Sequence, residues 1–188
     1  MRQDIILSGS GGQGLILAGV ILAEAAGIVE GREVVQTQSY GIQARGGASQ
    51  SSVIISDSRI NFPEVIQSDI LLCLSQEAYN RYRSKLREGG WLIIDQDLVN
   101  ADVAATSNAR PDLKVIALPF TAEAEKMNRR IVANVMALGA LAVLTGVVKP
   151  ESLARALPSR VPERNVHLAL DALGVGVKMA EARRESIA

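Results

Sequence analysis

The 188-residue sequence predicts an α/β fold, a mainly parallel sheet with helices on both faces and a helical C-terminal part. Three observations lead there. Short runs rich in Ile, Val and Leu alternate with helical patterns, the order expected of parallel strands joined by crossover helices. A glycine turn, Gly9-Ser10-Gly11-Gly12-Gln13-Gly14, follows the first apolar run directly and opens a helical pattern, a Rossmann-like strand, glycine loop and helix. A long stretch without charge, Ile131 to Val148, stands ahead of two further helical patterns.

Taken in order, residues 4–8 read as the first strand and residues 12–30 as a long helix stopped at Gly31. Residues 33–38 and 50–56 are predicted strands, the latter for its β-branched cluster Val53-Ile54-Ile55. Between them, Ser39 to Ser49 is too rich in Gly and polar residues to continue either strand. Residues 69–75 are a fourth strand, and residues 76–87 a helix with Tyr79, Tyr82 and Leu86 on one face, ended by Gly89-Gly90. Residues 91–95 and 114–118 are strands joined by a polar surface loop through Asn108 and Pro111. Thr121 begins a long helix, with Glu123 and Glu125 near its positive end. Pro150 and Pro162 mark the starts of closing helices over 151–157 and 163–185. No linker-like stretch divides residues 1–188, which read as a single domain.

Composition narrows the function classes. Acidic and basic residues balance at a formal net charge of zero, so no global field implies nucleic acid or an anionic membrane as a partner. The apolar start is too short for a signal peptide, and the expected location is cytoplasmic. Ile131 to Val148 has the length of a membrane span, but its Ala, Gly, Asn134 and Thr145 favour a helix buried against the sheet or another subunit. The single cysteine, Cys73, lies in an apolar run and reads as a small core residue. His167 has no neighbouring ligand, Asp95 and Asp97 read as loop caps, and no catalytic triad or metal set is identifiable.

The glycine loop is the candidate site. Gly9, Ser10, Gly11, Gly12, Gln13 and Gly14 fit G-x-G-x-x-G, which permits a tight turn and close approach of a phosphate to a helix N-terminus. A side chain at Gly11 or Gly12 is expected to push the backbone off a phosphate or out of a positive-φ conformation. The second strand ends Gln36-Thr37-Gln38, without the acid a dinucleotide site uses for the ribose, and no Walker lysine follows Gly14. Phosphate binding and simple close packing of strand on helix both remain open. A second cluster, Arg45-Gly46-Gly47, is a plausible neighbourhood for an anion or a partner chain. If both loops follow parallel strands, they meet at the carboxyl edge of the sheet.

Together, "LSGSGGQGLILAG", "QTQSYGIQARGGASQSSVIIS" and "NRRIVANVMALGALAVLTG" closely resemble the gamma subunit of 2-oxoacid:ferredoxin oxidoreductases, especially the 2-oxoglutarate type. The chain departs from many relatives in reading Ile42-Gln43-Ala44 before Arg45, where Pro-Glu-Ala is common. The resemblance implies a complex that converts a 2-oxoacid, coenzyme A and oxidised ferredoxin into acyl-CoA, carbon dioxide and reduced ferredoxin. Thiamine diphosphate, Mg2+ and iron–sulfur clusters belong, in that family, to other subunits; one cysteine and the lack of a thiamine diphosphate motif agree. The resemblance also implies alpha and beta partners, a ferredoxin-like delta chain, and ferredoxin as acceptor of the complex. By the same resemblance residues 9–14 receive a coenzyme A phosphate, with Arg45, Gly46 and Gly47 close by. The alternatives are the small subunit of an indolepyruvate enzyme, whose segment before R-G-G differs, the small subunit of another 2-oxoacid:ferredoxin oxidoreductase, and a purely structural assembly module.

Overall fold

The computed structural model describes residues 1–39, 48–100, 106 and 108–185. Six strands, β1 (Arg2–Ser10), β2 (Glu33–Ser39), β3 (Ala48–Ser56), β4 (Ser68–Cys73), β5 (Leu86–Asp95) and β6 (Lys114–Leu118), form one sheet in the order β2-β3-β1-β4-β5-β6. β1, β4, β5 and β6 pair in parallel, while β3 runs antiparallel to both β1 and β2. All strands but β3 therefore point the same way, and the sheet is mainly parallel as predicted. Ile5, Ile6 and Leu7 are wholly buried, because the central strand β1 is covered on both faces.

The six described helices are α1 (Leu15–Glu24), α2 (Gln76–Tyr82), α3 (Phe120–Lys126), α4 (Ala133–Thr145), α5 (Pro150–Ala156) and α6 (Val166–Glu185). Ile5, Leu7, Val53, Ile55, Ile70, Leu72 and Ile93 turn to one face, where they share a core with residues of α1, α3, α4, α5 and α6. Ile6, Leu71, Cys73, Leu92 and Ile94 turn to the other face, against Ala78, Tyr79 and Tyr82 of α2. Alternation along each strand divides the two cores.

Four boundaries differ from the sequence reading, each for a local reason. The first helix begins at Leu15 and not at Gly12, because Gly14 adopts φ 74°, left-handed, at its N-cap; it then widens into a π-helical turn, Ala25–Val29, before Gly31. The helix at 76–87 stops at Tyr82 and tightens into a 3-10 turn, Arg83–Lys85. Gly89 and Gly90 lie inside β5, where extra residues loop out between the pairs Ser68–Leu86 and Ile70–Trp91. The long helix from Thr121 is two helices, α3 and α4, separated by a bend at Asn128 (φ 54°) and a 3-10 turn, Arg130–Val132. Asn tolerates that left-handed backbone better than most residues.

The apolar stretch at 131–148 is explained within the chain. Every residue of α4 from Ala133 to Ala142 is buried, and glycines let α6 lie directly on it. A Cβ on Gly139 would stand 2.5 Å from the Leu173 carbonyl oxygen, and one on Gly176 would overlap the Met136 carbonyl. Of the two expected environments, the sheet or another subunit, the chain supplies burial of its own: α4 packs into the sheet-side core and α6 covers it. Among the described residues no helix is long and apolar enough to cross a membrane.

Candidate functional site

The glycine loop sits at a topological switch point. From β1 the chain moves first to β2 and β3 on one side, then to β4 on the other, so a crevice opens beyond the carboxyl ends of β1 and β4. Gln13 spans that crevice: its Oε1 accepts the Ser10 N–H at 2.7 Å and its Nε2 donates to the Leu74 carbonyl at 2.7 Å. On the other side of β1, Ser8 Oγ donates to Ser49 O at 2.8 Å and Ser49 Oγ donates to Gly9 O at 3.1 Å. Asn134 Nδ2 reaches from α4 to donate to Gly14 O at 3.1 Å. The loop is held from three directions without using its glycine N–H groups as donors to these side chains.

The glycines differ in what they do. Gly12 (φ 89°) and Gly14 (φ 74°) need left-handed backbone, and a Cβ on Gly14 would also overlap the Asn134 amide nitrogen. At Gly11 the positive-φ part of the expectation is corrected: its φ is not in the left-handed region, and nothing stands within 4 Å of an added Cβ. A side chain there leaves the loop in place and projects into open space.

A cleft of about 320 Å3 lies over the loop, lined by Ser10, Gly12, Gln13, Leu74, Arg130 and Ile131 among others. No acidic side chain stands in the first turn of α1 and no side chain caps it, so the positive end of the helix dipole at the end of the loop is uncompensated. Arg130 adds a full positive charge. Its ion pair with Glu125 (3.1 Å) is solvent-exposed on both sides and weak enough to exchange for a better anion. The sequence assigns Arg130 no role and shows Asn134 only as a polar interruption of the apolar stretch. The signal for Asn134 was a lone amide in an Ala-rich buried helix, which needs a partner.

Arg45, Gly46 and Gly47 lie outside the described residues. Their flanks are placed: Ser39 ends β2, and Ala48 pairs with Ser10 at the carboxyl end of β1.

Asp95 and Asp97 serve as the loop caps expected. Asp95, wholly buried at the end of β5, accepts from Thr121 Oγ1 (2.6 Å) and the Asp97 N–H (3.1 Å), and Asp97 accepts from the Ala122 N–H (2.8 Å). Both fix the start of α3, whose Thr121 forms part of the cleft wall. Burial raises the Asp95 carboxyl above the ordinary carboxylate range, outweighing its hydrogen bonds. A raised folded-state value gives a contribution to stability that is complete below the unfolded value and lost as pH rises through the folded one. Asp95→Asn should therefore be more favourable, relative to the parent, at pH 7 than at pH 4 in urea unfolding. The same difference at both pH values would show that Asp95 does not titrate differently on folding.

Cys73 is fully buried in β4, and burial pushes its thiol up, so it is unsuited to act as a thiolate ligand. Among the described residues no three His, Cys, Asp or Glu side chains converge as a metal set. His167 is exposed on α6.

Comparison with known proteins accounts for this architecture. The family model described as pyruvate ferredoxin/flavodoxin oxidoreductase matches residues 4–179. The chain is 48% identical over 182 residues to "2-oxoglutarate synthase subunit KorC" of Methanocaldococcus jannaschii, covering 96% of this chain and 95% of that protein. It is 39% identical to the subunit of the same name in Archaeoglobus fulgidus, over 87% of this chain and 82% of that one. The crystal structure of a keto/oxoacid ferredoxin oxidoreductase gamma subunit from Geobacter sulfurreducens superposes with a TM-score of 0.84 at 46% identity, covering 97% of this chain and 98% of that one. The 2-oxoglutarate:ferredoxin oxidoreductase of Magnetococcus marinus shares the fold at 22% identity, with a TM-score of 0.85, over 96% of this chain and 31% of that one. With its glycine loop, sheet order and near full-length matches to gamma-type subunits, the chain belongs to the pyruvate ferredoxin/flavodoxin oxidoreductase family.

Proposed function

We propose that this chain is the gamma subunit of a 2-oxoglutarate:ferredoxin oxidoreductase and that its glycine loop helps to hold coenzyme A. The enzyme would join a 2-oxoacid to coenzyme A with loss of carbon dioxide and pass two electrons to ferredoxin. Thiamine diphosphate and iron–sulfur clusters on the alpha, beta and delta partners would supply the decarboxylation and electron transfer. This chain's share is binding. The loop N–H groups and the α1 dipole receive a phosphate, Gln13 keeps the loop open across the crevice, and Arg130 neutralises the remaining charge. By the family resemblance, Arg45, Gly46 and Gly47 would complete the anion site.

The observation that carries the reading is an uncapped, acid-free helix start directly after a glycine loop whose cleft Arg130 lines. A second reading, in which the loop only packs against a partner subunit, draws on the exposure of Leu17 (38%) and Ile131 (51%) beside it.

Gly11→Val separates the two, since the fold itself has room for the side chain. In the assembled enzyme it should raise the KM for coenzyme A about tenfold, the scale of one lost charge-assisted hydrogen bond, and leave the KM for 2-oxoglutarate unchanged. Equal changes in both, or failure to assemble on size-exclusion chromatography, would favour the packing reading.

A further inference from the structure

The described sheet has two edges, and only one of them is blunted. β6 is five residues long, opens with Lys114, whose Nζ stands 4.8 Å from the centroid of the Trp91 ring, and is followed at once by Pro119. A short strand with a lysine and a proline at its ends offers little to a further strand. β2 has none of these devices. Its seven residues, Glu33-Val34-Val35-Gln36-Thr37-Gln38-Ser39, hold no proline, glycine or lysine, and they pair with β3 without a bulge, from Glu33 opposite Ser56 to Ser39 opposite Gln50. Among the described residues nothing pairs with its outer side. In an antiparallel pair alternate residues turn their N–H and C=O groups away from the neighbour, so β2 presents a regular row of donors and acceptors.

The helix above this edge is short of polar cover as well. From Leu15 to Val29 the only polar side chain is Glu24, which is taken up by Ser159 and Arg160. Gly27 lies against β2, since a Cβ there would stand 3.4 Å from Val34 Cγ2. Ile16, Val20 and Ala23 precede it at helical spacing on the same flank and are only half-buried, and Ile28 beside it is 78% exposed. A surface helix ordinarily carries its polar residues on such a flank.

We propose that β2 pairs antiparallel with β2 of a second copy of this chain, about a two-fold axis at Gln36, to make one continuous sheet. The strand's own sequence selects the occupant. A register centred on Gln36 uses the whole strand: Glu33 faces Ser39, Val34 faces Gln38, Val35 faces Thr37, and Gln36 faces its own copy. Glu33, the one charge of the strand, then meets a hydroxyl at each end, and no like charges stand opposite one another. Val35 opposite Thr37 brings two β-branched side chains together on the face turned away from Val34. The two-fold keeps both α1 helices on one face of the joined sheet, antiparallel, with their apolar flanks toward each other.

Sedimentation equilibrium of the purified chain tests the pairing. The parent should run at twice the mass of one chain. Gln36→Lys and Gln36→Glu each set two like charges opposite one another at the axis and should raise the dissociation constant more than about tenfold, so that the mass falls to that of one chain. Either replacement can keep a hydrogen bond with Ser51 Oγ, which Gln36 Nε2 reaches at 2.8 Å, and the circular dichroism of both should match that of the parent. An equimolar mixture of the two variants should regain the double mass, because a lysine then faces a glutamate. A monomeric parent would overturn the proposal. So would variants that remain dimeric, which place the contact elsewhere, and a mixture that stays monomeric, which rules out the axis at Gln36. Should either variant unfold, Thr37→Lys, at an exposed position, takes its place: it should also give the single mass, and a dimer that survives it counts against β2. With a monomeric parent, amide exchange in β2 that slows only in the assembled enzyme would give the edge to another subunit instead.

Discussion

Gly176→Val is expected to destabilise the chain by about 3–5 kcal/mol, the scale of forced repacking in a core. A Cβ at this position would stand 2.6 Å from the Met136 carbonyl carbon and 2.8 Å from its Cα, and would overlap the carbonyl oxygen. These are backbone atoms, so no rotamer relieves the contact and α6 has to lift from α4. Ala169, Ala172, Leu173, Gly176 and Ala180 are the buried side of α6, and all of them lose packing when it lifts. Gly174→Ala on the same helix is the control, because nothing stands within 4 Å of its added Cβ. It should stabilise by about 0.5–1 kcal/mol through helix propensity and a less flexible unfolded chain. Urea unfolding of both variants decides the matter. Similar, small effects would mean that α6 does not dock as closely on α4 as the backbone contact requires.

The same pair of helices shows why part of the fold was legible in sequence and part was not. Alternating apolar runs and helical patterns give the layer arrangement, since burial on both faces forces near-continuous apolar strands such as Ile5-Ile6-Leu7. Strand direction leaves no such trace. Val53-Ile54-Ile55 reads alike whether β3 runs with β1 or against it, and only the pairing of Ser10 with Ala48 settles it. The uncharged stretch at 131–148 announced burial without saying by what. Its glycine partner, Gly176, lies outside the stretch, on a helix whose sequence mixes apolar with charged residues.

The site divides along the same line. A glycine turn between strand and helix is a local pattern, so its position was readable, and so was the placing of Asp95 and Asp97 as caps. Arg130 and Asn134 reach the loop only because the chain bends at Asn128, and Asn-Arg-Arg carries no helix breaker that would reveal the bend. Gln13 belongs to the motif, yet its role as the bridge between β1 and β4 depends on two strands distant in sequence lying side by side.

The contact between Gly14 and Asn134 supplies the other large effect, and a double-mutant cycle isolates it. Gly14→Ala should cost about 3 kcal/mol, about half of it the penalty for an L-residue in left-handed backbone. The rest arises because the new Cβ would overlap the Asn134 amide nitrogen and displace the bond to the Gly14 carbonyl. Asn134→Ala alone should cost about 1 kcal/mol, since the Gly14 carbonyl still accepts the Ala18 N–H at 3.0 Å. In the double variant the overlap is gone and only the backbone penalty and the lost bond remain. Its cost should therefore lie near that of Gly14→Ala by itself, a coupling of about 1 kcal/mol or more. Strict additivity in urea unfolding would show that Asn134 does not press on the loop. In the assembled enzyme Gly14→Ala should also raise the KM for coenzyme A. Adding Asn134→Ala should return that value only in part, because the loop regains space but not the bond that set its height above the cleft.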